Sequence, residues 1–171
     1  MFRPIDEMKR RARGLHARAK DGDPDAWRRL ARLPELRRLE PTARGAALRR
    51  RHALATVARE VGFDGWSHAV AVLKGRETSR FGALLYAPAC SAHGNIWFAG
   101  YADAQAVHRE HGGYLLPYKD QYVVVDRHFL QTLGVSPEDP DWRRIGGDWV
   151  RPASFDARLR LTARVVQARL S

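Results

Sequence analysis

The spacing of apolar residues changes character near residue 80, and that change limits the fold more than any composition figure. Before it, apolar side chains recur at three- and four-residue steps, the period of a helix with one buried stripe. Ile5, Met8, Ala12, Leu15 and Ala19 form one such stripe. Asp23-Pro24 reads as a helix start, with the aspartate as N-cap and the proline at the first helical position. Trp27, Leu30 and Ala31 follow as the inner face of a short helix that stops before Pro34. Thr42 is the expected cap of the next helix, where Leu54, Val57, Ala58 and Val61 mark the inner side and Gly62 the end. Trp66, Ala69, Val70 and Leu73 are the stripe of another. The pattern predicts a small bundle of four helices.

Lys74 to Gly82 has no periodicity and holds two glycines, so it reads as a joint. Beyond it come short aromatic-rich runs, 81–86 and 95–101, expected as strands. Asp103 is the expected cap of a helix through His111, closed by Gly112-Gly113. Segments 114–118 and 121–126 form an expected hairpin turning at Lys119-Asp120, its second arm, at Tyr122 to Val125, apolar enough for burial on both faces. Helical pieces at 127–133 and 154–169 flank a capped turn at Ser136 to Asp139 and a break at Gly146-Gly147. The fold class is therefore α+β: an N-terminal basic helical bundle over residues 1–76, then a small α+β domain with about four short strands over 81–171.

Charge divides the chain at the same place. Residues 1–80 carry 20 Lys+Arg against 10 Asp+Glu, and residues 81–171 carry 10 against 9, so +10 of the net +11 lies in the first half. A one-signed field of this kind points to an anionic partner, DNA or RNA, and an acidic protein answers the same charge. Arginine outnumbers lysine 26 to 4. That ratio fits phosphate recognition by planar forks and fits equally a GC-rich coding bias. No apolar run approaches the ~20 residues of a membrane span, so no membrane partner is expected. A single cysteine, Cys90, excludes an internal disulfide and suits a reducing cytoplasm; the first residues lack the apolar core of a signal peptide.

Ala58-Arg-Glu-Val-Gly-Phe-Asp-Gly-Trp66 is the most distinctive string: a helix, a glycine permitting φ > 0, an apolar plug and a second helix anchored by tryptophan. With Gly22-Asp23-Pro24 and Leu33-Pro34 it resembles, over roughly residues 15–74, a small helical module of bacterial proteins often placed ahead of ankyrin-like repeats. That module's pattern is Ala-Arg-Glu-aromatic-Gly-Phe-x-x-Trp; Val61 stands at the aromatic position here, and no ankyrin repeat follows. The resemblance implies a helical fold and almost nothing of function. A weaker resemblance joins Ala58, Gly62-Phe63, Ser67 and Leu73-Lys74 to the helix-turn-helix of AraC-type regulators, which would imply a second helix in the major groove. Its exposed positions would be Asp64, Gly65, Ser67, His68 and Ala71, a poor set for reading base edges.

Arg28-Arg29, Arg37-Arg38, Arg44 and Arg49-Arg50-Arg51 are the candidate phosphate contacts, since phosphate binding needs only several cationic forks on one surface. Two other constellations compete with this reading. Cys90-x2-His93 and His108-x2-His111 have a metal-ligand spacing. A seven-residue strand climbs about 23 Å, however, while eight helical residues return only about 12 Å, leaving the second pair roughly 10 Å short. His108, His111 and Tyr118 could instead form an acid–base site, His as base and the phenol as charge stabiliser. No nucleophile elbow and no Gly-rich phosphate loop accompanies them, and no cofactor is expected. The preferred reading is a non-enzymatic binding protein whose basic half meets a polyanion. A small enzyme around His108, His111 and Tyr118, and an interaction module with an acidic partner, are the alternatives.

Overall fold

The computed structural model describes residues 2–171. Its first half is helical for the reasons the stripes suggest. α1 (Pro4–Lys20) buries Met8, Ala12, Leu15 and Ala19, with Asp6 and Glu7 in its first turn and Arg18 and Lys20 in its last, each matched to the helix dipole. α2 (Pro24–Leu30) starts where expected: the Asp23 carboxylate accepts from the Asp25 and Ala26 amides at 2.8 and 3.1 Å. The Trp27 indole donates to the Ala19 carbonyl at 2.9 Å, locking α2 onto the end of α1.

The pattern predicts one long helix after Thr42, but residues 34–61 hold three helices instead. α3 (Pro34–Arg37) and α4 (Pro41–Ala47) each open on a proline, whose fixed φ suits a first helical position, and α4 starts two residues earlier than a Thr42 cap would place it. The cap position is Glu40, not Thr42. Leu48 and Arg49 are then extended because the buried Leu48 side chain pins the chain to the core, and α5 (Arg50–Val61) begins anew. With α6 (Trp66–Leu73) the bundle has six helices among the described residues rather than four.

Gly62 ends α5 at φ +113, as a left-handed cap should. It also does something more demanding. A Cβ there would lie 2.7 Å from the Ala83 carbonyl group, and a Cβ on Gly82 would lie 2.6 Å from the Gly62 oxygen. Two main chains touch at this point, and the Ala83 amide donates to the Gly62 carbonyl at 2.7 Å. The joint is thereby packed against the α5–α6 corner. Within it the Glu77 carboxylate accepts from the Ser79 and Arg80 amides at 2.8 and 3.1 Å, and these bonds hold its pKa down to about 2.

The strand expected at 81–86 is absent. Phe81, Leu84 and Leu85 are the buried apolar side chains there, a spacing of three and one rather than two, and successive tight turns carry all three inward. The sheet is three antiparallel strands in the order β1-β3-β2: β1 (Ile96–Phe98), β2 (Tyr114–Tyr118) and β3 (Gln121–Val125). The expected hairpin is present, with Lys119 at φ +51 in its turn. β1 is shorter than expected because Tyr101 begins α7 (Tyr101–His111); the cap is Gly100 rather than Asp103, and the Tyr101 hydroxyl donates to Asp148 at 2.6 Å.

α8 (Arg127–Leu133), α9 (Pro140–Arg144) and α10 (Phe155–Leu170) complete the α+β fold, capped by Asp126, Asp139 and Ser154. α10 contacts α1, α5 and α6 as well as α8 and α9, so its Leu161, Val165 and Val166 sit at the centre. One continuous cluster of buried apolar residues runs from Met8 to Leu170. No helix among the described residues is long and apolar enough to cross a membrane.

Candidate functional site

The eight candidate arginines separate into two groups once their partners are known. Arg29 makes a two-pronged pair with Glu60 at 2.8 and 2.7 Å, tying α2 to α5, and the carboxylate holds its guanidinium more firmly charged. Arg28 pairs with Asp25 at 2.8 Å on an exposed face. Arg44 lies over the Trp27 ring, 5.6 Å from its centroid. Arg49 bends back onto the Ala46 and Leu48 carbonyls at 2.6 and 3.0 Å, covering the broken end of α4. These four are engaged within the fold.

Arg37, Arg38, Arg50 and Arg51 are exposed, and none makes an ion pair among the described residues. Arg37 touches only the Arg32 carbonyl, at 3.5 Å. Two histidines show that Lys20, Arg49, Arg50 and Arg51 gather at one end of the bundle. Burial lowers the His16 pKa first, and the charges of Lys20 and Arg50 lower it further. Burial also lowers that of His52, assisted by Arg51 and Arg49 and opposed by Glu35 of α3. α5 packs on α1, and Lys20, Arg49, Arg50 and Arg51 lie within electrostatic reach of these two histidines. Engaging phosphates there would require no loss of an existing ion pair by Arg50 or Arg51.

The α5–α6 corner does not present a base-reading face. His68, expected on the exposed side, has a side chain only 14% exposed. Its Nδ1 accepts from the Asp64 amide at 3.0 Å, its Nε2 meets the Arg80 carbonyl at 2.9 Å, and the ring packs edge-on to Phe63. It is a latch between corner and joint. Ser67 and Asp64 remain exposed.

The C-terminal candidates are scattered. Cys90 is fully buried and burial pushes its thiol up, the opposite of a nucleophile or metal thiolate. His93 bonds Thr132 at 2.8 Å and packs on Phe129. His108 meets the Gly113 carbonyl at 3.2 Å. No three His, Cys, Asp or Glu side chains among the described residues are grouped as a metal would need. His111 is the last residue of α7, before the glycine pair that leads into β2, and Tyr118 ends β2, a strand that by itself spans about 13 Å from Tyr114 at ~3.3 Å per residue. Tyr118 belongs to an aromatic cluster with Tyr86 and Trp97, at 4.9 and 5.4 Å. The acid–base trio is therefore not assembled.

His111 does line a large concavity, a cleft of about 880 Å³ at the end of the sheet, beside Val107, Tyr114, Trp142 and Arg143. The carboxylates around it are already occupied. Asp126 caps α8, Asp139 caps α9, and Glu138 pairs with Arg127. No general base and oriented nucleophile face one another there among the described residues.

Comparison with protein-family models, curated proteins and solved structures finds no match. What the surfaces can do therefore follows from their own chemistry. Two arginine sites have no counterpart among the residues singled out by pattern. Asp141 is fully buried and receives Arg144, Arg160 and Arg164 at 2.7–2.8 Å. Arg158, 4% exposed, lies inside the core beside Phe81. The first had a visible signal in the four-residue spacing of Arg160 and Arg164; the second had none, since an i, i+3 spacing from Phe155 is common to any helix.

Proposed function

We propose that the protein is a non-enzymatic binding protein whose helical half engages nucleic acid through phosphate contacts, with little base readout. The observation that carries this reading is the set of exposed, unpaired arginines, Arg37, Arg38, Arg50 and Arg51, in a half with a net charge of +10. A face built only for solubility mixes signs, whereas in this half cations exceed carboxylates two to one, 20 against 10. The withdrawal of His68 into a latch removes one polar group that base readout would need.

Titration of labelled duplexes at several salt concentrations tests this directly. Engagement of four to six phosphates gives a log–log slope of about −4 to −5, from about −0.9 per phosphate. Replacing Arg37, Arg38, Arg50 and Arg51 by alanine weakens binding alike on unrelated sequences and flattens the slope by about one unit for each phosphate no longer held. Replacing Ser67 leaves binding unchanged. If no DNA or RNA binds at low salt, the nucleic-acid reading fails, and an acidic protein partner accounts for the charge.

A further inference from the structure

Burying a guanidinium is expensive unless a carboxylate meets it. Arg158 breaks that rule. It is 4% exposed yet makes no ion pair among the described residues. Its hydrogen bonds both leave Nη1, to the Thr78 and Trp149 carbonyls at 3.1 and 2.9 Å. Phe81 and Phe155 cover it, their ring centroids 5.1 and 4.9 Å from Cζ. Nε and Nη2, the edge of the fork that meets a carboxylate bidentately, have no protein acceptor among the described residues.

That edge is not sealed in. The indole nitrogen of Trp149 is the one buried side-chain nitrogen or oxygen, among the described residues, closed off without a partner. Arg158 lines a cavity of about 230 Å³ at the seam between α6, the joint and α10, whose other walls include Val72, Thr78, Phe81, Phe155 and Leu159. We propose that this cavity binds a small monocarboxylate with a short apolar body, its carboxylate held in the open fork of Arg158.

The fork is planar and offers parallel donors, the geometry of a carboxylate. A cation without an ion pair, felt electrostatically by Asp148 but not met by it, takes up one negative charge, whereas a phosphate dianion would leave an excess charge beside the Glu77 carboxylate, which also lines the cavity. Phenyl and aliphatic walls reward a hydrocarbon body. The volume lies below the ~300 Å³ at which pockets for drug-sized ligands begin, so the body is short. Burial pulls the guanidinium below its usual pKa, the direction an anion would reverse.

The probes are benzoate and butyrate, titrated into the full chain with calorimetry and with the Arg158 Nε–H resonance as site-specific readout. Saturable one-to-one binding that moves this resonance is expected. Leu159→Trp, which fills the cavity from a half-exposed position, abolishes it, and Phe155→Ala, which removes an exposed ring, weakens it several-fold. Arg158→Lys keeps a charge but loses the fork, and weakens it at least about tenfold if it folds. The Leu159 and Phe155 variants carry the test if it does not. Absence of binding by both probes at about 10 mM overturns the proposal, as does binding that Leu159→Trp leaves intact. Inorganic phosphate competing as well as benzoate overturns the carboxylate assignment.

Discussion

Arginine serves opposite purposes in the two halves. In residues 81–171, where 10 basic residues face 9 acidic ones, five of the guanidiniums are drawn into the structure. Three surround Asp141, Arg158 is enclosed by rings and carbonyls, and Arg169 donates across to the Val61 carbonyl at 2.9 Å. In residues 1–80 most pairings are local and exposed, such as Arg10 and Arg11 on Glu7 or Arg18 on Asp23, and such pairs contribute little. Among the described residues of that half, only Arg29 reaches a distant carboxylate. The same side chain is structural glue where acid is plentiful and a free surface cation where it is scarce.

The contrast is broken most forcefully at Asp141. Asp141→Ala leaves three guanidiniums around an empty site and lowers stability by about 3–5 kcal/mol, read from the urea midpoint at constant slope. Gly62→Ala comes next: a left-handed backbone and a Cβ forced 2.7 Å from the Ala83 main chain cost about 2–4 kcal/mol. The quadruple alanine variant at Arg37, Arg38, Arg50 and Arg51, by contrast, moves the midpoint by no more than about 0.5 kcal/mol per site while its nucleic-acid affinity falls. A large loss of stability there would mean these arginines are structural after all.

The smallest effect is the pH dependence. His16 and His52 have folded pKa values below the ordinary 6.5, so the unfolded chain binds more protons and stability declines as pH falls below that value. Glu77 is shifted the same way, from 4.5 to about 2, so its contribution is present above 4.5 and is lost as pH falls towards 2. Glu77→Gln flattens the midpoint-versus-pH curve in that lower window, and His16→Gln flattens the upper one. Nearby phosphates favour protonated His16, so duplex binding tightens between pH 7.5 and about 6 in the native chain and less so in His16→Gln.

Most features that depend on neighbours in sequence were legible, although the caps expected at Thr42 and Asp103 fall at Glu40 and Gly100. The α1 stripe, the Asp23 cap, the Gly62 corner and the Lys119-Asp120 hairpin each need only residues within a turn or two of each other. Features set by distant partners were not. Residues 81–86 have the composition of a strand, but Phe81, Leu84 and Leu85 find a core on one side and Gly62 fixes the chain in a turn. His68 looks like a free helix residue until Arg80 arrives 12 positions later to take its ring nitrogen. For the candidate surface, charge placed the arginines in the right half, yet Arg29 left the free set because Glu60, 31 residues away, claims it. Neither the cleft nor the Arg158 cavity has a local pattern, since each is closed by three or more segments.

The position of α10 has a consequence for the order in which this chain acquires its structure. α10 rests on α1, so elements roughly 150 residues apart must meet before the helical bundle is complete. Contacts of such separation pay loop-closure entropy first and reward it last. A ribosome synthesising this chain therefore releases α1, α5 and α6 long before their covering helix exists, leaving a basic segment with an open apolar groove. During that interval the apolar faces that α10 covers in the finished fold stay open to solvent and to other chains.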